Sequence, residues 1–333
     1  MIDAHAHVVL GGTMGAAGPV CGPEIGYDED GAPWFRVGDW YLHGVRYEGS
    51  PFMEVDLRLQ AMDAAGIRAQ ILSPNPLTYL HHIPAAEATA YCRQHNRELA
   101  EIVRHHPDRL AGFASLPMQD PAAAVTVLRE AVLEYGLLAG YVGSDPPMAL
   151  DAPELDQLYA ACVEFDVPLC IHPAPSGLDG PLRDPRMRRF DLDLVVEFSY
   201  EEMIAVATLV FGGVLRRHPE LDVCISHAGG STPMHLAKLE KLAERRPGSP
   251  EWIKEPGTFR AQVARLWFDL HVTGVAERDF AVAQLGTDRL VFGTNFSGWD
   301  GGAVDVDPDL AELLDANAVR LFRLDRRAPG LLR

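Results

Sequence analysis

Cysteine is scarce and unpaired in this chain of 333 residues. The five are Cys21, Cys92, Cys162, Cys170 and Cys224, an odd number with no C-x-x-C spacing. That argues against a disulfide framework and for a reducing compartment. Cys170 and Cys224 lie inside apolar runs, where a buried reduced thiol is expected. Positive charge is also in short supply. Lys and Arg total 29 against 47 Asp and Glu, a formal net charge of −18. Nucleic acid and anionic membranes would repel such a chain, so neither is expected as a partner. A small anionic substrate stays open, because a local arginine can capture one. No apolar run is long enough to cross a bilayer. The chain opens directly on a strand without a basic leader, and a cytoplasmic location is the expectation. A Gly-rich phosphate loop is missing too: Gly11-Gly12-Thr13-Met14-Gly15 follows the first apolar run but precedes no helical pattern, which disfavours an open, doubly wound nucleotide-binding sheet.

What is present is a regular alternation. Apolar residues make up 47% and charged residues 23%, the balance of a globular protein. Strand-like runs fall at 2–8, 68–74, 110–116, 138–143, 167–172, 222–227, 265–271 and 289–294. Helical patterns fall between and after them, at 54–65, 85–106, 121–135, 153–165, 199–217, 232–245, 275–285 and 308–323. Eight strand–helix units predict an α/β fold, a distorted (β/α)8 TIM barrel running through 1–333 as a single domain. Two stretches interrupt it. Residues 11–50, rich in Gly, Pro and aromatics, are expected to form a lid or small insertion after the first strand. Residues 174–198 follow the fifth strand and carry Arg183, Arg186, Arg188 and Arg189.

Barrel enzymes work at the C-terminal ends of their strands, and polar residues collect there in this chain. His5 and His7, two apart on a strand, share a face. His172 ends the fifth strand, His227 the sixth and His271 the seventh, and Asn295 follows the eighth. One strand-end histidine is ordinarily structural. Four or more at one mouth are hard to attribute to packing, and neutral imidazoles suit Zn²⁺ or a similar divalent ion. Asp3 and Asp269 alternate with these positions and are expected to orient the histidines. Trp299 is a candidate pocket wall.

In order and register, Ile2-Asp3-Ala4-His5-Ala6-His7, Asp30-Gly31-Ala32-Pro33-Trp34-Phe35-Arg36-Val37, the 57–67 helix with Met62-Asp63-Ala64-Ala65-Gly66, Gly112-Phe113-Ala114-Ser115-Leu116-Pro117-Met118-Gln119, Phe211-Gly212-Gly213-Val214 and Ser226-His227-Ala228-Gly229-Gly230 resemble the amidohydrolase superfamily, in its aminocarboxymuconate-semialdehyde decarboxylase branch. The resemblance implies that His5, His7 and His172 hold a divalent metal, with zinc ahead of manganese. It implies that His227 acts as acid/base or orients the substrate, and that Arg36 pairs with a substrate carboxylate. It further implies a homodimer in which a basic residue of a neighbouring copy, Lys238 or Arg246, completes the pocket. For Arg246, a solvated helix end is an equally good account.

The chain departs from that pattern at Gly293-Thr294-Asn295-Phe296, where the family carries an aspartate. An amide is neutral and cannot act as a base at neutral pH, so general-base hydrolysis through Asn295 is excluded and metal occupancy comes into question. Asp300 is a carboxylate nearby, yet it lies well past the strand end and is not expected to substitute. The expected function is a metal-dependent decarboxylase, a C–C lyase acting on a small aromatic or unsaturated carboxylic acid. A hydrolase or hydratase of the same superfamily and a metal-free binding barrel are the alternatives. The fifth-strand insertion lacks the family's tryptophan, so the family substrate is not carried over.

Overall fold

A computed structural model describes residues 1–175, 178, 184–296, 298, 300, 301 and 306–333. β1 (Ile2–Val8) is followed by a small antiparallel sheet of β2 (Glu24–Tyr27), β3 (Pro33–Val37) and β4 (Trp40–His43). The remaining strands are β5 (Ala69–Pro74), β6 (Leu110–Gly112), β7 (Ala114–Ser115), β8 (Gly140–Gly143), β9 (Leu169–His172), β10 (Val223–Ile225), β11 (Trp267–Asp269) and β12 (Leu290–Val291). All of these and β1 pair in parallel in chain order. β6 and β7 are halves of one barrel strand, parted at Phe113. The Ala4 N–H donates to the Phe292 carbonyl at 2.9 Å, the Phe296 N–H donates to the His5 carbonyl at 3.2 Å, and Ala6 bridges Phe296 in parallel. The eighth strand thus meets the first, and the eight-stranded barrel closes as the sequence led one to expect. Major helices, among them Ala85–His105, Pro121–Leu133, Val196–Phe211, Thr232–Arg245 and Pro308–Phe322, fall within a few residues of their expected spans.

Two apolar layers hold the barrel. Inside, Ile2, Ala4, Ile71, Phe113, Tyr141, Cys170, Cys224, Trp267 and Val291 fill the N-terminal half, with Phe322 and Leu324 of the C-terminal segment packed against them. The larger layer lies between strands and helices and includes Ala6, Val8, Leu72, Ile171, Ile225 and Phe268. β1 changes sides between these layers. Ile2 and Ala4 belong to the inner one, Ala6 and Val8 to the outer one. The switch coincides with a register break against β5: Asp3 faces Gln70 but Ala6 faces Leu72, three residues against two. This β-bulge inserts one residue and turns His5 and His7, rather than Ala6, toward the barrel mouth.

The 11–50 stretch packs around buried Phe35, which contacts Tyr47 at a ring-centroid distance of 5.1 Å. With Leu80, His82 and Leu178, residues 37–41 line a cavity beside the loops that leave β5 and β9. It therefore lies on the C-terminal side of the barrel. All five cysteines are free thiols, and among the described residues no helix is long and apolar enough to cross a membrane.

Under β1 lies a buried charged network. Arg58, on the helix Val55–Ala64, is 1% exposed. It donates to the His7 carbonyl at 2.6 Å and to Gln70 Oε1 at 2.9 Å. Gln70 Nε2 donates to Asp3 Oδ2 at 2.9 Å, and Asp3 also accepts from the Thr294 hydroxyl at 2.7 Å and from the His5 and Thr294 amides. Burial pushes the Asp3 carboxyl up to about 6 against these hydrogen bonds, and pulls the Arg58 guanidinium down to about 9. Arg58→Met removes one end and strands the His7 carbonyl and Gln70. Urea unfolding is expected to show a loss of roughly 3–5 kcal/mol, the cost of breaking a buried charged network; a loss under 1 kcal/mol would contradict the network's structural weight.

Candidate active site

Five imidazoles converge at the mouth. Ring centroids of His5 lie 5.0 Å from His7, 5.0 Å from His172, 4.8 Å from His227 and 5.6 Å from His271. Candidate ligand atoms of His5, His172 and His227 all lie within 4.8 Å of one another. His7 joins through its Nε2, 3.2 Å from His5 Nε2.

The far side of each ring is anchored. His5 Nδ1 meets Asp269 Oδ2 at 3.0 Å, His7 Nδ1 meets the Pro74 carbonyl at 3.2 Å, and His172 Nδ1 meets the Pro173 carbonyl at 2.6 Å. A carbonyl or carboxylate can only accept, and the Ser73 hydroxyl, 2.9 Å from His7 Nδ1, accepts there while it donates to the Ala6 carbonyl, so each Nδ1 carries the hydrogen and each Nε2 presents a lone pair. The Nε2 contact between His5 and His7 is therefore lone pair against lone pair, and His172 Nε2 is buried with no partner among the described residues. Such an arrangement is repulsive unless a cation sits among the nitrogens. Two imidazoles sharing a zinc-sized ion hold their nitrogens roughly 3–3.5 Å apart. Burial, reinforced by neighbouring imidazoles, keeps all three rings neutral: His7 is pulled down to about 3, and His5 and His172 well below the usual histidine range. The donor set fits a divalent ion: His5, His7 and His172 are candidate ligands, and His227 lies within ligand distance of His5 and His172.

His227 is of a different kind. Its Nδ1 lies 2.6 Å from Glu202 Oε1, and the same oxygen accepts from the Ser226 hydroxyl. Glu202 is fully buried. Burial alone would lower His227, but the Glu202 carboxylate, aided by Asp269 and Asp300, lifts it to about 9. Burial likewise raises Glu202, against the pull of His227 and of the Ser226 hydrogen bond. His227 has φ +46° and Ala228 φ +55°, left-handed backbone that places the ring back over the strand ends. Close approach also shapes the floor. A Cβ at Gly293 would stand 2.8 Å from the His5 Cβ and 3.3 Å from the Asp269 Cβ, so no side chain fits there.

His271 belongs to the cluster, 5% exposed, with Nε2 3.1 Å from Asp300 Oδ2. Asn295 lines the same cavity at φ +49°, its amide donating to Asp300 Oδ1 at 2.6 Å. Asp300 lines the cavity as well, contrary to the expectation that it lies too far along the chain. Arg36 is not among the described residues that line this cavity. Its guanidinium is taken up by Glu24 at 2.7 Å and by the carbonyls of Val20 and Gly38. Lys238 and Arg246 are exposed, on and just beyond the helix Thr232–Arg245, and neither is among the described residues lining the cavity. Trp299 lies outside the described residues. Glu202 was missed by the sequence reading, because Tyr200-Glu201-Glu202 looks like an exposed acidic pair. Its signal was periodicity: Ala205, Val206 and Leu209 follow at i+3, i+4 and i+7 on the buried face.

The cavity over this floor holds about 530 Å³. Leu194, Phe198, Pro233, Met234 and Phe280 give it apolar walls, and among the described lining residues there is no lysine or arginine. A shared ion predicts that His7→Ala and His172→Ala purify with roughly 10–100-fold less divalent metal than wild type, read by elemental analysis of protein never exposed to chelator. Wild-type content in both variants would remove the shared ion.

Comparison with known proteins agrees with this geometry. The amidohydrolase family model (Amidohydro_2) matches residues 2–324. The 2-amino-3-carboxymuconate-6-semialdehyde decarboxylase of Dictyostelium discoideum is 29% identical over 72% of the chain, which spans 66% of that relative, just under two thirds of its length. A gamma-resorcylate decarboxylase of Rhizobium radiobacter is 27% identical over 82% of the chain and 88% of that protein. Among solved structures, the dihydroxybenzoic acid decarboxylase of Polaromonas sp. JS666, with bound manganese and 2-nitroresorcinol, superposes with a TM-score of 0.72 at 23% identity, covering 85% of this chain and 90% of that one. With its barrel, its strand-end imidazoles and a family match over nearly its whole length, the chain belongs to the amidohydrolase family.

Proposed function

We propose that the protein is a metal-dependent decarboxylase, removing CO2 from a small aromatic or unsaturated carboxylic acid. The observation that carries this reading is the His227–Glu202 contact in the wall of an apolar cavity, with the His227 ring 4.9 Å from that of His172, whose Nε2 is buried without a partner among the described residues. Relatives that decarboxylate aminocarboxymuconate semialdehyde and gamma-resorcylate support the same reaction class.

A bound divalent ion would supply Lewis-acid charge for the oxygens of the substrate. The chain does the rest. Phe198 and the aliphatic walls take the ring or diene and exclude water. With no lysine or arginine among the described lining residues, His227 is the cationic side chain of this wall that would face the substrate's charge. Glu202 holds His227 Nδ1–H, which directs the other nitrogen at the substrate. Delivery of its proton to the carbon bearing the carboxylate lets that C–C bond break. The bonding pair stays with the carbon, CO2 leaves, and His227 is reprotonated from solvent. Imidazole donors suit zinc, and manganese is what the Polaromonas structure contains, so both ions belong in the assay. Lys238 and Arg246, exposed on the outer side, would serve a neighbouring copy in a homodimer, which light scattering of the purified protein reads directly.

Supplied with Zn²⁺ or Mn²⁺, the protein is expected to release CO2 from members of a panel of hydroxybenzoic and dienoic acids. Water addition to substrate without CO2 release would make it a hydratase or hydrolase instead. In the active protein, Glu202→Gln is expected to lower kcat by roughly 10²-fold with little change in KM, the usual weight of a positioned acid. An unchanged kcat would take His227 out of the proton-donor role.

A further inference from the structure

The ion site has an unresolved charge. Position 295 offers an amide where a carboxylate would serve a cation. The chain beyond Asn295 folds back in a tight turn. The Gly298 N–H donates to the Asn295 carbonyl at 2.7 Å, and the Gly301 N–H donates to the Gly298 carbonyl at 3.1 Å. Both positions must be glycine for this turn. A Cβ on Gly298 would stand 2.5 Å from Asn295 Nδ2, and one on Gly301 would stand 2.4 Å from the Asn295 carbonyl oxygen. The turn delivers Asp300 to the cavity wall, its side chain only 19% exposed. Both carboxylate oxygens are engaged: Oδ1 accepts from Asn295 Nδ2 at 2.6 Å, and Oδ2 meets His271 Nε2 at 3.1 Å.

We propose that Asp300 is a second anionic positioning residue of the ion site beside Asp269, a carboxylate moved five places along the chain, and that Asn295 is the strut that holds it. Asn295 is then the matching half of a pair. An aspartate at 295 beside Asp300 would face like charge at hydrogen-bond distance, which only one ionised group can occupy comfortably. The amide turns that contact into a hydrogen bond. Asp300 places its charge against His271, whose ring lies 5.6 Å from His5 and 5.5 Å from His227. The inference rests on the decarboxylase reading only for the existence of the ion site.

The test is Mn²⁺ binding to metal-free protein by equilibrium dialysis, without substrate. Asp300→Asn is expected to weaken binding by about tenfold or more, and the swap Asn295→Asp with Asp300→Asn is expected to recover most of the loss. Less than tenfold weakening in a folded Asp300→Asn protein, or a swap no tighter than that single variant, overturns the proposal. Should Asp300→Asn fail to fold, Asn295→Asp alone decides. Its metal-free Tm must fall below wild type, because two carboxylates then meet at hydrogen-bond distance; an unchanged Tm overturns the proposal. The decarboxylase reading is separable. Asp300-dependent Mn²⁺ binding without CO2 release defeats that reading alone, and CO2 release with Asp300-independent binding defeats this one alone.

Discussion

The carboxylate of Asp269 ties the site together. One oxygen takes the Nδ1 hydrogen of His5 on the first barrel strand. The other accepts the backbone amides of His227, past the sixth strand, at 3.0 Å and of His271, past the seventh, at 3.1 Å. One buried side chain thus sets the tautomer of a candidate ligand and the position of two further imidazoles drawn from different parts of the chain. Burial raises its carboxyl, while His227 and these amides pull the other way. The absence of a side chain at Gly293 leaves room for it beside His5.

Around that hub the barrel separates two environments along its axis. The N-terminal half is filled with apolar side chains and plugged by the C-terminal segment, which gives stability without chemistry. The C-terminal half is polar and built of groups that cannot satisfy one another. Lone pairs face lone pairs between His5 and His7, and His172 Nε2 has no partner. A folded chain tolerates such frustration where a ligand relieves it, which is why these atoms are the candidate ligands of a divalent ion. His227 stands apart from the neutral trio because Glu202, invisible as a site residue in a plain reading of the helix, keeps a proton on it. The site therefore holds both neutral donors and a proton source, the combination a lyase requires.

Much of this was legible before any coordinates. The eight strand ends carry His5, His7, His172, His227, His271 and Asn295, and parallel barrel topology places all such ends at one face. Other residues were not legible, for identifiable reasons. Arg36 looked like a carboxylate clamp, but its use depends on a neighbour twelve residues earlier: Glu24 sits opposite it in an antiparallel pair and takes the guanidinium. Glu202 sits in a segment whose composition reads as surface. Asp300 seemed too distant because distance along the chain was taken for distance in space, and two glycines turn the backbone sharply enough to make the two differ.

By itself the sequence determined the architecture, the family and the inventory of ligating side chains, since alternation of apolar runs and the residues ending them are local properties of the chain. Only the tertiary structure decided which way those side chains face. The bulge in β1 adds one residue and so switches the parity of the strand, bringing His5 and His7 into the mouth. Side-chain direction on a strand has a period of two, and no local pattern in Asp3-Ala4-His5-Ala6 says where that period slips. The partners of each imidazole come from strands and helices far off in sequence, and folding alone selects them.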